Sequence, residues 1–293
     1  MRRVGHERVI AAVRLIQGSS EDDAGERIHQ ARKQLKRVRA LLRLVRPNIT
    51  RRRWDHAGRR LRNVSRALSA VRDATVLIHT LEGLGIGQGP GSDSLAALAG
   101  TARNRAVKAR AAALADRRAR GKLERRLMEA ARLIDGWTAI RQGWKAIGTG
   151  LRIVYTDAHA AAAPLRDLAE CGDLVLHEAR KRAQTLLHVL EFLEAVRPSR
   201  IKEQTHALHE LTELLGKDHD LAVLTVTLGA MTSVRLTAAD SRRLNGAICS
   251  RRRILQNQAA RLASQIYVTS AEEFVGQIHR YWKDWRRRAR HGT

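Results

Sequence analysis

The chain has 293 residues; Lys and Arg supply 55 and Asp and Glu 29, a formal net charge of +26 with His neutral. A field this positive calls for a polyanionic partner, whether nucleic acid, an acidic membrane surface or inorganic polyphosphate, while 44% apolar residues supply a real core and argue against disorder. Aromatics at 3% argue against a mechanism that stacks bases along a strand, and the longest uncharged run, Leu221–Val234, is too short at 14 residues to span a bilayer.

In chain order, the N-terminus Met1–Arg8 carries charges too densely for a signal peptide, and no apolar run follows it. A soluble cytoplasmic protein is expected. A short leading helix precedes the clearest helix, 25–46. There Ile28, Ala31, Leu35, Val38, Leu42 and Val45 repeat at 3-4-3-4-3 spacing, one apolar stripe that Pro47 stops. A third helix is predicted over 52–70, then a short helix after Asp73. Gly83, Gly85, Gly87, Gly89 and Gly91 form a surface turn rather than a nucleotide loop, since they spell neither GxGxxG nor GxxxxGK[ST]. A long helix follows over 93–134, with Trp137 beyond it. The second half repeats the plan: a leading helix, 174–196 with the stripe Leu176, Ala179, Ala183, Leu186, Leu190 and Leu193, then 200–215, a short helix after Asp220 and a long helix 237–267. Val223–Leu228 alternates weakly like a strand but continues the helical period. Arg286, Arg287 and Arg288 are expected to be a frayed basic tail. The prediction is an all-α chain.

The two apolar stripes are offset by 148 positions. His29-Gln30-Ala31-Arg32-Lys33 matches His177-Glu178-Ala179-Arg180-Lys181 at four of five positions, and Trp137 falls on Trp285 at the same offset. Leu61, Val64 and Leu68 fall on Leu208, Leu211 and Leu215 at 147. The near-constant offset predicts an internal duplication, with halves 1–148 and 149–293 forming one unit.

One residue along from the first apolar stripe, His29, Arg32, Lys36, Arg39, Arg43 and Arg46 keep the same spacing, rotated about 100° from the core face. Lys33 and Arg37 widen this stripe, and no acid lies between Ile28 and Trp54. A solvated helix face ordinarily mixes Glu with Lys, so an unrelieved basic stripe points to a bound anion. The second copy keeps His177, Arg180 and Lys181 but turns to Gln184, Leu187, Glu191 and Glu194, so a shared site should be asymmetric. Further basic clusters are Arg51, Arg52, Arg53, Arg59, Arg60, Arg62 and Arg66; Arg103, Arg105 and Lys108; and Arg251, Arg252 and Arg253. Guanidinium forks bind phosphate oxygens bidentately, which suits a phosphate polymer.

Cys171 and Cys249 read as ordinary thiols, and no HExxH motif occurs. His206 and His209 share a helix face and are expected to be partly buried hydrogen-bonding residues. His219 and Asp220 could pair; Asp73 and Asp220 read as helix caps or anchors for basic side chains. No metal or other cofactor is expected, because a cation would meet the local positive field. No nucleophile sits beside an evident base.

At Ile28-His29-Gln30-Ala31-Arg32-Lys33-Gln34-Leu35-Lys36-Arg37-Val38-Arg39, Arg72-Asp73, Leu176-His177-Glu178-Ala179-Arg180-Lys181 and Leu215-Gly216-Lys217-Asp218-His219-Asp220, the sequence resembles the CHAD domain family, conserved-histidine α-helical domains. The resemblance implies two similar helical bundles related by a pseudo-twofold axis around a basic groove or pore. It implies non-catalytic binding of inorganic polyphosphate and targeting to polyphosphate granules. It also implies His29, Arg32, Lys33, Lys36, Arg39, His177, Arg180 and Lys181 as anion contacts, to which the basic patterning adds Arg37, Arg43, Arg103, Lys108, Arg251 and Arg252. Gln184 departs from the basic residue usual at its position. The ExExK signature of a triphosphatase-like domain is absent. Nucleic-acid binding is the alternative reading, and a metal-dependent phosphohydrolase a more distant one.

Overall fold

The computed structural model describes residues 1–18, 24–84, 97–104, 107–108, 117–136, 142–168, 171–230 and 236–291. Among them there is no strand, and the chain is all-α. The helices are α1 (Arg2–Gln17), α2 (Ala24–Val45), α3 (Arg51–Ala67), α4 (Ser69–Gly83) and α5, with helical residues at 97–104 and 107–108. They continue with α6 (Arg117–Asp135), α7 (Trp144–Ala162), α8 (Asp173–Leu193), α9 (Pro198–Ala230), α10 (Ala238–Ile266) and α11 (Ala271–Arg290). Short 3₁₀ turns follow α2 at Arg46–Asn48, α7 at Ala163–Arg166 and α8 at Glu194–Val196.

Both predicted apolar stripes are buried along their whole length, from Ile28 to Val45 and from Leu176 to Leu193. Their periodicity leaves a single continuous face to hide, and α2 hides it against α1, α7 and α8. The main core extends from there to α3, α6, the first half of α9, and the ends of α10 and α11. A smaller core joins Leu77 and Leu81 of α4, Leu98 and Ala102 of α5, Leu221 and Leu224 of α9, and Leu244, Ile248 and Leu255 of α10. Helix α7 crosses α2 with the two backbones touching. A Cβ on Gly150 would lie 1.7 Å from the Leu44 carbonyl oxygen, so only glycine permits this approach.

Three boundaries differ from expectation. The helix predicted over 52–70 ends at Ala67, and α4 starts at Ser69, whose hydroxyl donates to the Arg66 carbonyl at 2.8 Å. A side chain that bonds the preceding turn competes with the helical ladder there. At the position 147 further on stands Gly216, with no side chain to compete, and α9 runs unbroken through the predicted break between 215 and the Asp220 segment. Leu208, Leu211 and Leu215 anchor α9 in the main core and Leu221 and Leu224 in the smaller one, which offsets a mid-helix glycine costing about 1 kcal/mol. The arginines Arg286–Arg288 are not a frayed tail. They lie inside α11, which starts with a reciprocal Ser270/Glu273 capping box and packs Tyr281, Trp282 and Trp285 on the core. The predicted helix 93–134 is helical wherever it is described; Gly85–Gly91, Arg105 and Trp137 lie outside the described residues, as do the side chains of Arg72 and Asp73.

Candidate functional site

Packing α2 on α8, and α8 on α9, turns the three polar faces beside the core toward one another. Between them lies a cavity of about 810 Å³, touched also by Val76 of α4. Helix α2 contributes His29, Arg32, Lys33, Lys36, Arg37, Arg39 and Arg43; α8 contributes His177, Arg180, Lys181, Gln184, His188 and Glu191; α9 contributes His209, Glu213, Lys217, His219 and Asp220. Among the described residues the lining holds nine Arg and Lys side chains against three carboxylates, with five histidines between them.

Two of those cations stand out. Arg39 and Arg43 are partly buried, and among the described residues neither forms a hydrogen bond or an ion pair. Burial pushes the Arg39 guanidinium below its ordinary pKa, and Arg62 adds like-charge repulsion. Burial does the same to Arg43, followed by repulsion from Arg182 and Arg39 that Asp157 and Glu178 only partly offset. Asp157 and Glu178 are themselves engaged by Arg182, each at 2.6 Å. Two desolvated guanidinium groups held without a carboxylate are costly unless an anion completes them.

Arg37 is different. Its Nε lies 2.8 Å from a Glu191 carboxylate oxygen, and His188, only 7% exposed, bonds the same carboxylate through Nδ1 at 3.1 Å. Burial opposes ionisation of Glu191, yet the bonds from His188 and Arg37 outweigh it and hold its pKa at about 2. The residue that makes the second copy acidic therefore also withdraws a first-copy cation. Lys181 donates to Glu178 at 2.6 Å, which above all holds that carboxyl down at about 2. Arg32 donates to the Ser65 carbonyl at 3.1 Å. The Arg180 guanidinium lies over Gly216, where a Cβ would stand 3.0 Å from it.

His29 and His177 both line the cavity, and the His177 and His219 rings lie 4.5 Å apart. Burial lowers the His29 pKa, with Lys33 the next cause. Among the described residues no group of three His, Cys, Asp or Glu side chains is placed to hold a metal ion.

Four predicted contacts lie apart from this lining. Arg103 pairs with Glu82 at 3.2 Å, and Lys108 and Arg251 are exposed elsewhere. Arg252 is part of the architecture: its Nε lies 2.9 Å from Asp218, a carboxylate only 1% exposed, and it also binds Asp173. Burial works against the Arg252 charge, but those carboxylates raise its pKa above the ordinary guanidinium value. His206 and His209 are both exposed rather than partly buried, and His209 joins the cavity wall. Asp220 stands inside α9, where it caps nothing, and lines the cavity. Lys217 and His188 were not predicted as wall residues. The signal was present for α9: displacing Leu208, Leu211 and Leu215 by one gives His209, Thr212 and Gly216, all in the wall.

A CHAD domain family model matches residues 7–229. Among solved structures, the chain is similar to the CHAD domain from the plant Ricinus communis, at 20% identity and a TM-score of 0.48, over 94% of this chain and 88% of that one. No curated protein matches the chain.

Proposed function

The chain belongs to the CHAD domain family, and from that premise we propose that its cavity binds inorganic polyphosphate without chemical turnover, bringing the protein to polyphosphate granules. The observation that carries this reading is the pair Arg39 and Arg43, desolvated and, among the described residues, without carboxylate partners in a wall of excess cations. Successive helical turns of α2 present Arg, Lys and His at intervals that replace counterions along a phosphate chain, and release of those counterions drives association. Among the described residues the wall holds no aromatic side chain beyond its imidazoles, so it offers little on which to stack bases. Among the described residues no helix is long and apolar enough to cross a membrane.

The test is competition between polyphosphate and DNA or RNA at one salt concentration, with released phosphate assayed alongside. Polyphosphate is expected to displace either nucleic acid, with no phosphate released. Preferential retention of DNA or RNA, or steady turnover, contradicts the proposal.

Two further results are expected. Glu191→Gln removes the carboxylate that engages Arg37, so polyphosphate affinity should rise about tenfold, the worth of one charge-assisted contact of roughly 1.5 kcal/mol. Titration calorimetry checks it; an unchanged or weaker affinity means that Arg37 does not reach the ligand. Polyphosphate should also take up protons on binding. In the free protein the His29 pKa is lowered by burial and by Lys33; a bound anion offsets that positive field and raises it. The complex then holds more protons than the free protein, and affinity grows as pH falls through the ordinary imidazole range near 6.5. Titrations in two buffers of different ionisation enthalpy would reveal the uptake, and equal heats would refute it.

A further inference from the structure

Six of the seven arginines of helix α3 fall into two sets. Arg53 and Arg60 face α6, where Arg53 donates to the Gly136 carbonyl and Arg60 pairs with Glu129 at 2.8 Å. Arg52, Arg59, Arg62 and Arg66 are exposed, and among the described residues their side chains make no hydrogen bond or ion pair. At about 100° per residue these four fall within an arc of roughly 80°, opposite the buried Ala57, Leu61 and Val64. From Arg52 to Arg66 the stripe spans about 21 Å of helix axis. The helix's only carboxylate, Asp55, is already paired with Arg51 at 3.8 Å.

This stripe joins the cavity at one end. Gly58 lacks the side chain that would crowd Arg62, whose Nη1 would stand 3.1 Å from a Cβ there, with Leu42 of α2 at 3.9 Å. The Arg62 guanidinium is thus folded back toward α2, close enough to Arg39 to repel its charge. Arg39 lines the cavity and Arg62 stands outside it. Like charges brought together at a boundary, with no carboxylate between them among the described residues, mark a place where a polyanion passes.

We propose that the ligand does not end in the cavity: a phosphate chain leaves it between Arg39 and Arg62 and continues along the outer face of α3, held by Arg59 and Arg52, with Arg66 on the other side of the exit. This rests on the cavity reading above. Guanidinium forks repeated along one helix face, with no aromatic among them, hold phosphates and read no bases.

The test compares tripolyphosphate with long-chain polyphosphate on the full chain and on Arg52→Gln/Arg59→Gln/Arg66→Gln, over a series of salt concentrations. Among the described residues these exposed side chains have no partner to lose, so circular dichroism should show the fold unchanged. Tripolyphosphate affinity should be untouched, whereas long-chain affinity should fall about tenfold or more and the salt slope by about 2 to 3, at 0.7 to 0.9 per phosphate contact. An unchanged long-chain slope overturns the track alone. Equal weakening of both ligands also overturns it, showing a general field rather than a second segment, and so does selective loss of duplex DNA. If instead Arg39→Met with Arg43→Met leaves both phosphate ligands unaffected, the cavity reading fails and takes the track with it.

Discussion

Arg39→Met combined with Arg43→Met is expected to weaken polyphosphate binding by about a hundredfold or more while leaving the free protein as stable or more so. Each guanidinium should contribute charge-assisted hydrogen bonds worth about 1.5 to 3 kcal/mol, so losing both costs about 3 kcal/mol or more. The stability half follows from the sign of the pKa shifts. Burial, reinforced by Arg62 at Arg39 and by Arg182 and Arg39 at Arg43, disfavours the charged forms in the folded chain. Removing those charges relieves the fold, and Met retains most of the apolar stem and a high helix propensity. Opposite movements of affinity and melting temperature are the signature of residues kept for binding. A fall in melting temperature with affinity intact would assign both arginines to the scaffold instead.

Gly150→Ala is expected to be the most damaging single substitution for stability. The new Cβ would stand 1.7 Å from the Leu44 oxygen and 2.7 Å from the Leu44 carbonyl carbon, so α7 and α2 must separate. Overpacking usually costs about 1 to 3 kcal/mol, and a clash with backbone, which has no rotamer to change, belongs at or above the top of that range. The melting temperature should drop by roughly 10 °C. Gly148→Ala is the control. The nearest atoms to its new Cβ belong to the Trp144 side chain, at 2.7 Å, and a side chain has rotamers where backbone has none, so a smaller loss is expected. Because α2 also carries most of the cavity's cations, Gly150→Ala should weaken polyphosphate binding too. Similar melting temperatures for the two variants would contradict the close crossing.

The helices, their buried faces and the basic stripe were legible because each obeys a single-helix rule. Ile28 through Val45 repeat with the helical period, and His29 through Arg43 are the same pattern turned by one residue. What could not be read depends on neighbours distant in sequence. Arg37 looks as available as Lys36 along the chain, but Glu191 reaches it across 154 residues. Arg252 belongs to a basic run, yet buried Asp218 and exposed Asp173 claim it. The helix predicted over 200–215 stops short of Gly216, whereas the structure uses that glycine as the seat of Arg180 inside an unbroken α9. The offset of 148 led to an expectation of duplicated halves. The described helices do repeat one sequence of elements, since α2 and α8 each end in a 3₁₀ turn followed by α3 and α9. We propose that α2 superimposes on α8 together with the helices flanking each.

The most direct measurement is a crystal structure of the full chain grown with polyphosphate. It should show the phosphate chain in the cavity between α2, α8 and α9, with oxygens within hydrogen-bond distance of the Arg39 and Arg43 guanidinium groups and the chain leaving past Arg62. Polyphosphate bound on another face, with the cavity empty, would contradict the account.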